Sequence, residues 1–369
     1  MRGEVSFWPP HLTFPTIYLV YKDVRVMELS SMTIEDILSC EGKGAFDYES
    51  NVTEILHSFI LQRLPKNKTI LSEAANDHFT VPGKMLRAKM AMCAARMLKT
   101  DQAAALHWAV AIEVLHNASL IHDDICDEDK LRRDRPSVWS KYGKNVALTL
   151  GDWLIALAFE LAAEAGQRSQ TPILAKILAQ HMATTTKGEA AEFSRNSIYS
   201  WDSYLEMAAD KTAPLLTAPI EGVAAMALHS NAASSINTYF RSLGTAYQIA
   251  NDILNFRALD GADDCGSDLA RRAPNAVIVM YRQHLNPNKA AEFDSWSASG
   301  TKEGTKIWLQ DILSSDAIAL SINQMHKILE KTTQSTQTLP AGLASVIFPV
   351  QTLLRQVCLK SISPIRLMA

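Results

Sequence analysis

One stretch constrains this chain more than any other. The run AALHWAVAIEVLHNASLIH, residues 104–122, holds no glycine or proline and is rich in helix-forming residues. It leads straight into Asp123, Asp124 and Asp127, which Arg132, Arg133 and Arg135 follow. The three aspartates should therefore sit at the C-terminal end of a long apolar helix. Asp123 and Asp127 are four apart and share a face, with Asp124 beside them. A helix C-terminus already carries partial negative charge, so this cluster calls for a counter-charge. Carboxylate oxygens suit magnesium, which keeps several waters and takes up phosphate oxygens. The planar arginine forks beyond suit phosphate as well.

The segment resembles the first aspartate-rich motif of the trans-isoprenyl diphosphate synthases (polyprenyl synthetases), DDxxD followed by an arginine pair. KYGKNVALTLGDWLIALAFELAA, which follows it, resembles that family's next helix. The resemblance implies an all-α fold, a single-domain isoprenoid-synthase-type bundle of about a dozen helices around a central cavity, spanning residues 47–369. It implies two or three Mg2+ ions, prenyl diphosphate substrates and a homodimer.

Composition agrees with such an enzyme and excludes other classes. Of 369 residues, 47% are hydrophobic and 20% charged, and the net charge of -3 offers no footprint for nucleic acid. The five cysteines, Cys40, Cys93, Cys126, Cys265 and Cys358, are scattered without a CxxC and read as free thiols in a reducing compartment. No continuous apolar run reaches the length a membrane span needs, so a soluble cytoplasmic protein is expected. Residues 1–46, with Pro9, Pro10 and Pro15 and no helical period, form an N-terminal extension without an assigned role. Met27 and Met32 are alternative initiators.

From Tyr48 the pattern is helical, with Val52, Ile55, Leu56, Phe59 and Ile60 on one stripe. A helix opened by Pro82 and Gly83 should carry Lys84 and Arg87 three apart on one face of its N-terminal end, where unpaired amides favour an anion. GKMLRA resembles the family's glycine-lysine-arginine motif, with Met85 in place of an arginine. The resemblance assigns Lys84, Arg87, His116 and Arg133 to isopentenyl diphosphate, and Arg132 to the allylic diphosphate. The family commonly has glycine after the arginine pair; here Asp134 stands there.

Helices are expected near 145–166 and 171–195. The second ends in KGEAAEF, where the family has GQxxD, so Glu189 replaces a neutral amide and Glu192 can face the same way. Lys211 and Thr212 match a family KT pair beside the allylic diphosphate, where the helix breaks. Pro214 gives an independent reason for the break.

The second acidic motif departs most. Tyr247 and Gln248 fit the family, but its DDxxD reads Asn251, Asp252, Asn255. These three are still assigned to metal by resemblance, since an amide oxygen can ligate magnesium without charge. Downstream, Gly266, Asp268 and Leu269 match, but the family lysine does not, and no lysine occurs between Lys211 and Lys289. Arg257, Arg271 or Arg272 can supply that charge. Two further helical patterns, near 304–332 and 341–360, carry no evident chemistry.

The resemblance implies ionisation of an allylic diphosphate, attack by the isopentenyl double bond and proton loss to the departing diphosphate. Ala118 and Ser119, just before the first motif, are small, where short-chain family members place aromatics. Leu115, Ile112 and Trp108 continue that face, with Trp108 ~16 Å below Ser119. Trp108 is the expected tunnel floor, and the expected product is C20 or longer. Two alternatives stand beside elongation. One is a class I terpene cyclase, since NDILN is similar to part of NDxxSxxxE, although Leu259 falls where its glutamate would be. The other is a non-catalytic partner subunit, which the altered second motif suits.

Overall fold

Helix α4, Gln102–Cys126, is the spine of the fold. The Asp101 side chain caps it by accepting the Ala104 amide at 2.5 Å, and its alanine-rich middle is buried on every side. The computed structural model describes residues 45–66, 68–193, 200–257, 265–335 and the single positions 344, 347, 351 and 358. The chain divides into two compact units, Met1–Ile55 and Leu56–Ala369. Of the first, only residues 45–55 are described, within helix α1 (Ala45–Arg63). The extension, its alternative initiators and Cys40 therefore lie outside the described residues, as does nearly all of the expected 341–360 helix.

The second unit is all-α. After α1 come α2 (Ile70–Phe79), α3 (Leu86–Met97) and α4, then a two-residue antiparallel hairpin, β1 (Leu131–Arg132) with β2 (Arg135–Pro136). There follow α5 (Val138–Tyr142), α6 (Lys144–Arg168), α7 (Leu174–Glu192), α8 (Trp201–Thr212), α9 (Pro214–Met226) and α10 (Ala233–Asn255). The last group is α11 (Ser267–Arg271), α12 (Ala276–Gln283), α13 (Pro287–Ser299), α14 (Thr305–Ser314) and α15 (Ala317–Ser335). The pattern near 304–332 is thus two helices, broken where Ser315 turns extended (φ -95°, ψ 174°). Helix α4 packs along α6 on one side and against α3 and α9 on others, while α10 packs against α8, α9 and α15. The acid-bearing ends of α4 and α10 consequently open on one cavity.

Three local features set the site. The hairpin was not expected from the sequence: Arg133 and Asp134 form its tip with φ of 55° and 61°, both left-handed, as a type I′ turn requires. That conformation is the physical reason a glycine suits the position of Asp134. Pro214 occupies the first turn of α9 directly after α8 ends at Thr212, with Ala213 shared as the junction. Helix α3 begins only at Leu86, with Met85 left-handed at φ 47° and no side-chain cap of its own. The expectation that Lys84 and Arg87 share a helical face is therefore corrected: Lys84 precedes the helix.

By length and hydropathy alone α4 and α6 could each cross a membrane, although Glu113 interrupts the apolar run of α4, and Asp152 and Glu160 that of α6. Of the most apolar window, 83% is buried in α4 and 44% in α6, so α4 is a core helix. Of the four cysteines among the described residues, Cys126 is exposed, Cys93 and Cys265 are half-buried and Cys358 is buried.

Candidate active site

A cavity of about 760 Å³ is lined by Asp123 from α4 and Asp127 at its C-cap, Glu189 from α7, Lys211 and Thr212 from α8, and Gln248, Asn251, Asp252 and Asn255 from α10. Lys84, Arg87, His116, Ser119, Arg132, Tyr247 and Asp268 line it too. Leu120, Leu215 and Leu254 supply apolar wall. Most side chains singled out from the sequence thus converge. Asp124, Arg133, Glu192, Trp108, Leu115 and Ala118 are not among the lining residues.

The reason differs in each case. Asp124 is 1% exposed and accepts Nε of Arg132 at 2.8 Å and also its Nη2. It acts as the buried partner of that arginine, and its Oδ2 has no hydrogen-bond partner. Arg133 turns the other way, donating to the Val81 carbonyl at 3.1 Å and to Asn117 at 3.5 Å. It lines a small neighbouring pocket with Asp77, His78 and Arg135. Trp108 is fully buried, donates its indole N–H to the Pro219 carbonyl at 3.4 Å and lies flush against Gly222. It stands behind the cavity wall, and Leu115, Ala118 and Ile112 are likewise packed inside α4's contacts.

Glu192 faces a lysine. Lys211 Nζ lies 2.9 Å from Glu189 and 2.8 Å from Glu192. Burial opposes the lysine charge, and Glu192, Glu189 and Asp123 together outweigh it, so its pKa stands above the ordinary value. Gly188 makes the approach possible, because a Cβ there would collide with the backbone at Lys211. Burial, then the Glu189 charge, pushes the Asp123 carboxyl up. Glu189 Oε1 is itself buried without a hydrogen-bond partner.

On α10 the side-chain oxygens of Asp252, Gln248 and Asn255 already accept hydrogen bonds. Asp252, 3% exposed, accepts Tyr204 Oη at 2.6 Å, Gln248 Nε2 at 2.9 Å and the Ala276 amide at 2.7 Å. Burial, with Asp268 nearby, raises its pKa to about 7 against those three donors. Gln248 Oε1 in turn accepts the Thr212 hydroxyl at 2.8 Å. Asn255 donates to Ser267 Oγ at 2.7 Å and accepts the Asp268 amide at 3.3 Å, so it anchors the start of α11.

On the opposite wall Glu113, 3% exposed, accepts the Ala88 amide at 3.3 Å. It supplies from α4 the cap that α3 lacks, beneath Arg87. Burial, then Arg87 and Arg133, hold His116 well below its usual pKa, so it is neutral. Sequence reasoning missed Glu113 and Tyr204. Glu113 had a signal, being the only Asp, Glu, Lys or Arg among residues 104–121; Tyr204 had none.

Among the described residues no three His, Cys, Asp or Glu side chains already enclose a metal site. The donor set still fits a divalent cation. Asp123 and Asp127 present hard oxygens, Glu189 adds an unpartnered one, and Asp123, raised first by burial, has the Glu189 and Asp127 charges beside it. An ion completing its shell with water and phosphate oxygens matches that arrangement.

A helical bundle with acids and cations gathered around one cavity is the architecture of the isoprenoid-synthase type. The sequence profile of the polyprenyl synthetases matches residues 68–313, and the chain belongs to that family of trans-prenyl diphosphate synthases. It is 34% identical over 215 residues to a geranylgeranyl diphosphate synthase of Sulfolobus acidocaldarius, covering 57% of this chain and 64% of that protein. It is 25% identical to heptaprenyl diphosphate synthase component 2 of Bacillus subtilis over 307 residues, 82% of this chain and 86% of the relative. Among solved structures, a decaprenyl diphosphate synthase from Rhodobacter capsulatus superposes with a TM-score of 0.74 at 20% identity, covering 86% of this chain and 98% of that one. A polyprenyl synthase from Caulobacter crescentus, complexed with calcium and isoprenyl diphosphate, gives 0.72 at 24%, covering 86% and 99%.

Proposed function

We propose that this chain is a trans-prenyltransferase that condenses isopentenyl diphosphate with an allylic prenyl diphosphate. The observation that carries the reading is that Lys84, Arg87 and His116 line the same cavity as Asp123 and Asp127. A cyclase acting on one prenyl diphosphate has no use for a second cationic wall, and a non-catalytic subunit has no use for either.

In this reading Lys84 and Arg87 hold the isopentenyl diphosphate by charge, with His116 as a neutral hydrogen-bonding contact. Arg133, on the neighbouring pocket, steadies that wall through Asn117 and Val81. Arg132 and Lys211 face the allylic diphosphate, each released from its carboxylate partner as the substrate arrives. Bound magnesium, held by Asp123 and Asp127 with Glu189 alongside, would supply Lewis-acid charge to the leaving diphosphate. The Thr212 hydroxyl and Gln248, joined by a hydrogen bond, line the cavity on this side. Leu120, Leu215 and Leu254 keep water from the cation. The isopentenyl double bond then forms the new C–C bond, and the departing diphosphate takes the proton.

We further propose a linear product of C20 or longer. Ser119 leaves the cavity wall open beside Asp123, and two relatives above are named for C20 and C35 synthesis. A soluble, cytoplasmic homodimer is the assembly this reading implies. Incubation with magnesium, isopentenyl diphosphate and each of dimethylallyl, geranyl, farnesyl and geranylgeranyl diphosphate tests it. A longer linear diphosphate that forms only with isopentenyl diphosphate supports elongation. A hydrocarbon or alcohol from one allylic substrate alone replaces it with cyclisation, and no turnover in any mixture favours a partner-subunit role.

A further inference from the structure

Two acidic segments meet at the rim of the cavity, and one arginine joins them. Arg271 on α11 places Nη1 3.0 Å from Oδ1 of Asp127 and 3.8 Å from Oδ1 of Asp129, while Nη2 lies 2.7 Å from Oδ1 of Asp268. Nη1 also reaches the Asp127 backbone carbonyl at 3.4 Å. Asp127, Asp129 and Asp268 all line the cavity. The next residue, Arg272, is committed elsewhere: its guanidinium stacks 3.6 Å from the Trp296 ring centre and donates to the carbonyls of Leu269, Ala270 and Thr301. The stretch has no lysine from 212 to 288 and amides at 251 and 255; among its described residues, Arg271 is a cation paired with the acids of the rim.

We infer that Arg271 is a positioning residue that acts as a resident counter-cation of the mouth, making divalent-ion binding at Asp127 contingent on diphosphate. The inference rests on reading the acidic mouth as a divalent-ion site. Its physical basis is competition. One oxygen of Asp127 is engaged by the guanidinium, so an ion arriving alone finds fewer free donors and a fixed positive charge close by. Burial opposes the arginine's charge, but Asp127 and Asp268 outweigh it, so the group stays protonated. A diphosphate arriving with the ion reverses the balance, because its oxygens offer the same guanidinium a bidentate partner. The arginine's charge then passes from a protein acid to the ligand, and Asp127 is freed.

The test is calorimetric titration of Mn2+ into wild-type protein, Arg271→Gln and Arg271→Lys, each with and without inorganic diphosphate. Arg271→Gln should bind the ion alone more tightly, on the order of fivefold, the scale of one partly exposed ion pair. The enhancement of ion binding by diphosphate should shrink in the same variant. Arg271→Lys keeps the charge but cannot fork to both acids, so it should keep part of that enhancement, and it gives the reading if Arg271→Gln folds poorly. Equal ion affinity and equal enhancement in all three proteins overturns the inference. No ion binding to wild-type protein even with diphosphate overturns the underlying reading of the mouth instead.

Discussion

Lys211 stands 2.9 Å from Glu189, so the cation beside the candidate allylic site is neutralised by a residue whose other oxygen is buried without a partner. Where GQxxD would place a neutral amide, this chain adds a charge that serves both Lys211 and the acidic wall at Asp123. Glu189→Gln should therefore raise the magnesium concentration for half-maximal activity by roughly three- to tenfold, the scale of one nearby charge in a partly exposed site. An unchanged magnesium dependence would show that Glu189 serves the lysine alone.

Asp252 is expected to behave as a strut. Its oxygens accept Tyr204, Gln248 and the Ala276 amide, tying α8, α10 and α12 together. Tyr204→Phe leaves a buried carboxylate short of a donor and should cost about 1–3 kcal/mol of stability. Asp252→Asn should lower the urea midpoint in the same way while leaving the magnesium requirement nearly unchanged. Asp127→Asn should do the opposite. A magnesium requirement that rises as steeply in Asp252→Asn as in Asp127→Asn would make Asp252 a ligand rather than a strut.

Gly83 holds Arg133 in place by being small. A Cβ there would lie 2.6 Å from Arg133 Nη2, and the flexible guanidinium would have to move. Gly83→Ala should leave thermal stability close to wild type and raise KM for isopentenyl diphosphate, with KM for the allylic substrate little changed. Equal rises in both would mean that Arg133 supports the hairpin rather than one substrate.

His78 gives stability a pH dependence. Burial lowers its pKa from 6.5 to about 4, with Arg133 and Arg132 adding to the effect against its bond to Asn117. The folded protein thus keeps it neutral where the unfolded chain would protonate it. Its contribution is complete above pH 6.5 and is lost as pH falls from there towards 4, about 1–2 kcal/mol between pH 7 and 5. Chemical denaturation at those two values should show the loss, and His78→Asn should flatten it.

Much of this architecture can be read from residue order. The apolar run 104–122 dictates α4 and places Asp123 and Asp127 at its end, because periodicity and the absence of breakers act locally. Pro214 likewise announces the α8–α9 junction. Partners across the fold are not local. Nothing near Asp124 says that it will be buried under Arg132, nor near Lys211 that two glutamates on α7 will meet it. The hairpin at Arg133–Asp134 escaped because neither residue is the glycine that normally signals left-handed backbone. Trp108 shows the limit of helical-face counting: spacing placed it below Ser119, but Gly222 and Pro219 of α9 take it out of the cavity wall.

That displacement separates two ways of setting product length. Ser119 lines the cavity one turn before Asp123, so Ser119→Phe would put a ring where a growing chain must pass. It should shift the product to fewer isoprene units at a nearly unchanged rate for the first condensation. Trp108 is not among the residues that line the cavity, and its ring fills the space left by Gly222. Trp108→Ala should accordingly cost stability, about 3–5 kcal/mol for a large buried aromatic, with product length conserved in the fraction that stays folded. Chromatography of dephosphorylated products from both variants, alongside their melting temperatures, distinguishes the cases. Longer products from Trp108→Ala would mean that the chain reaches past Ser119 and pushes α9 aside, making Trp108 the floor after all.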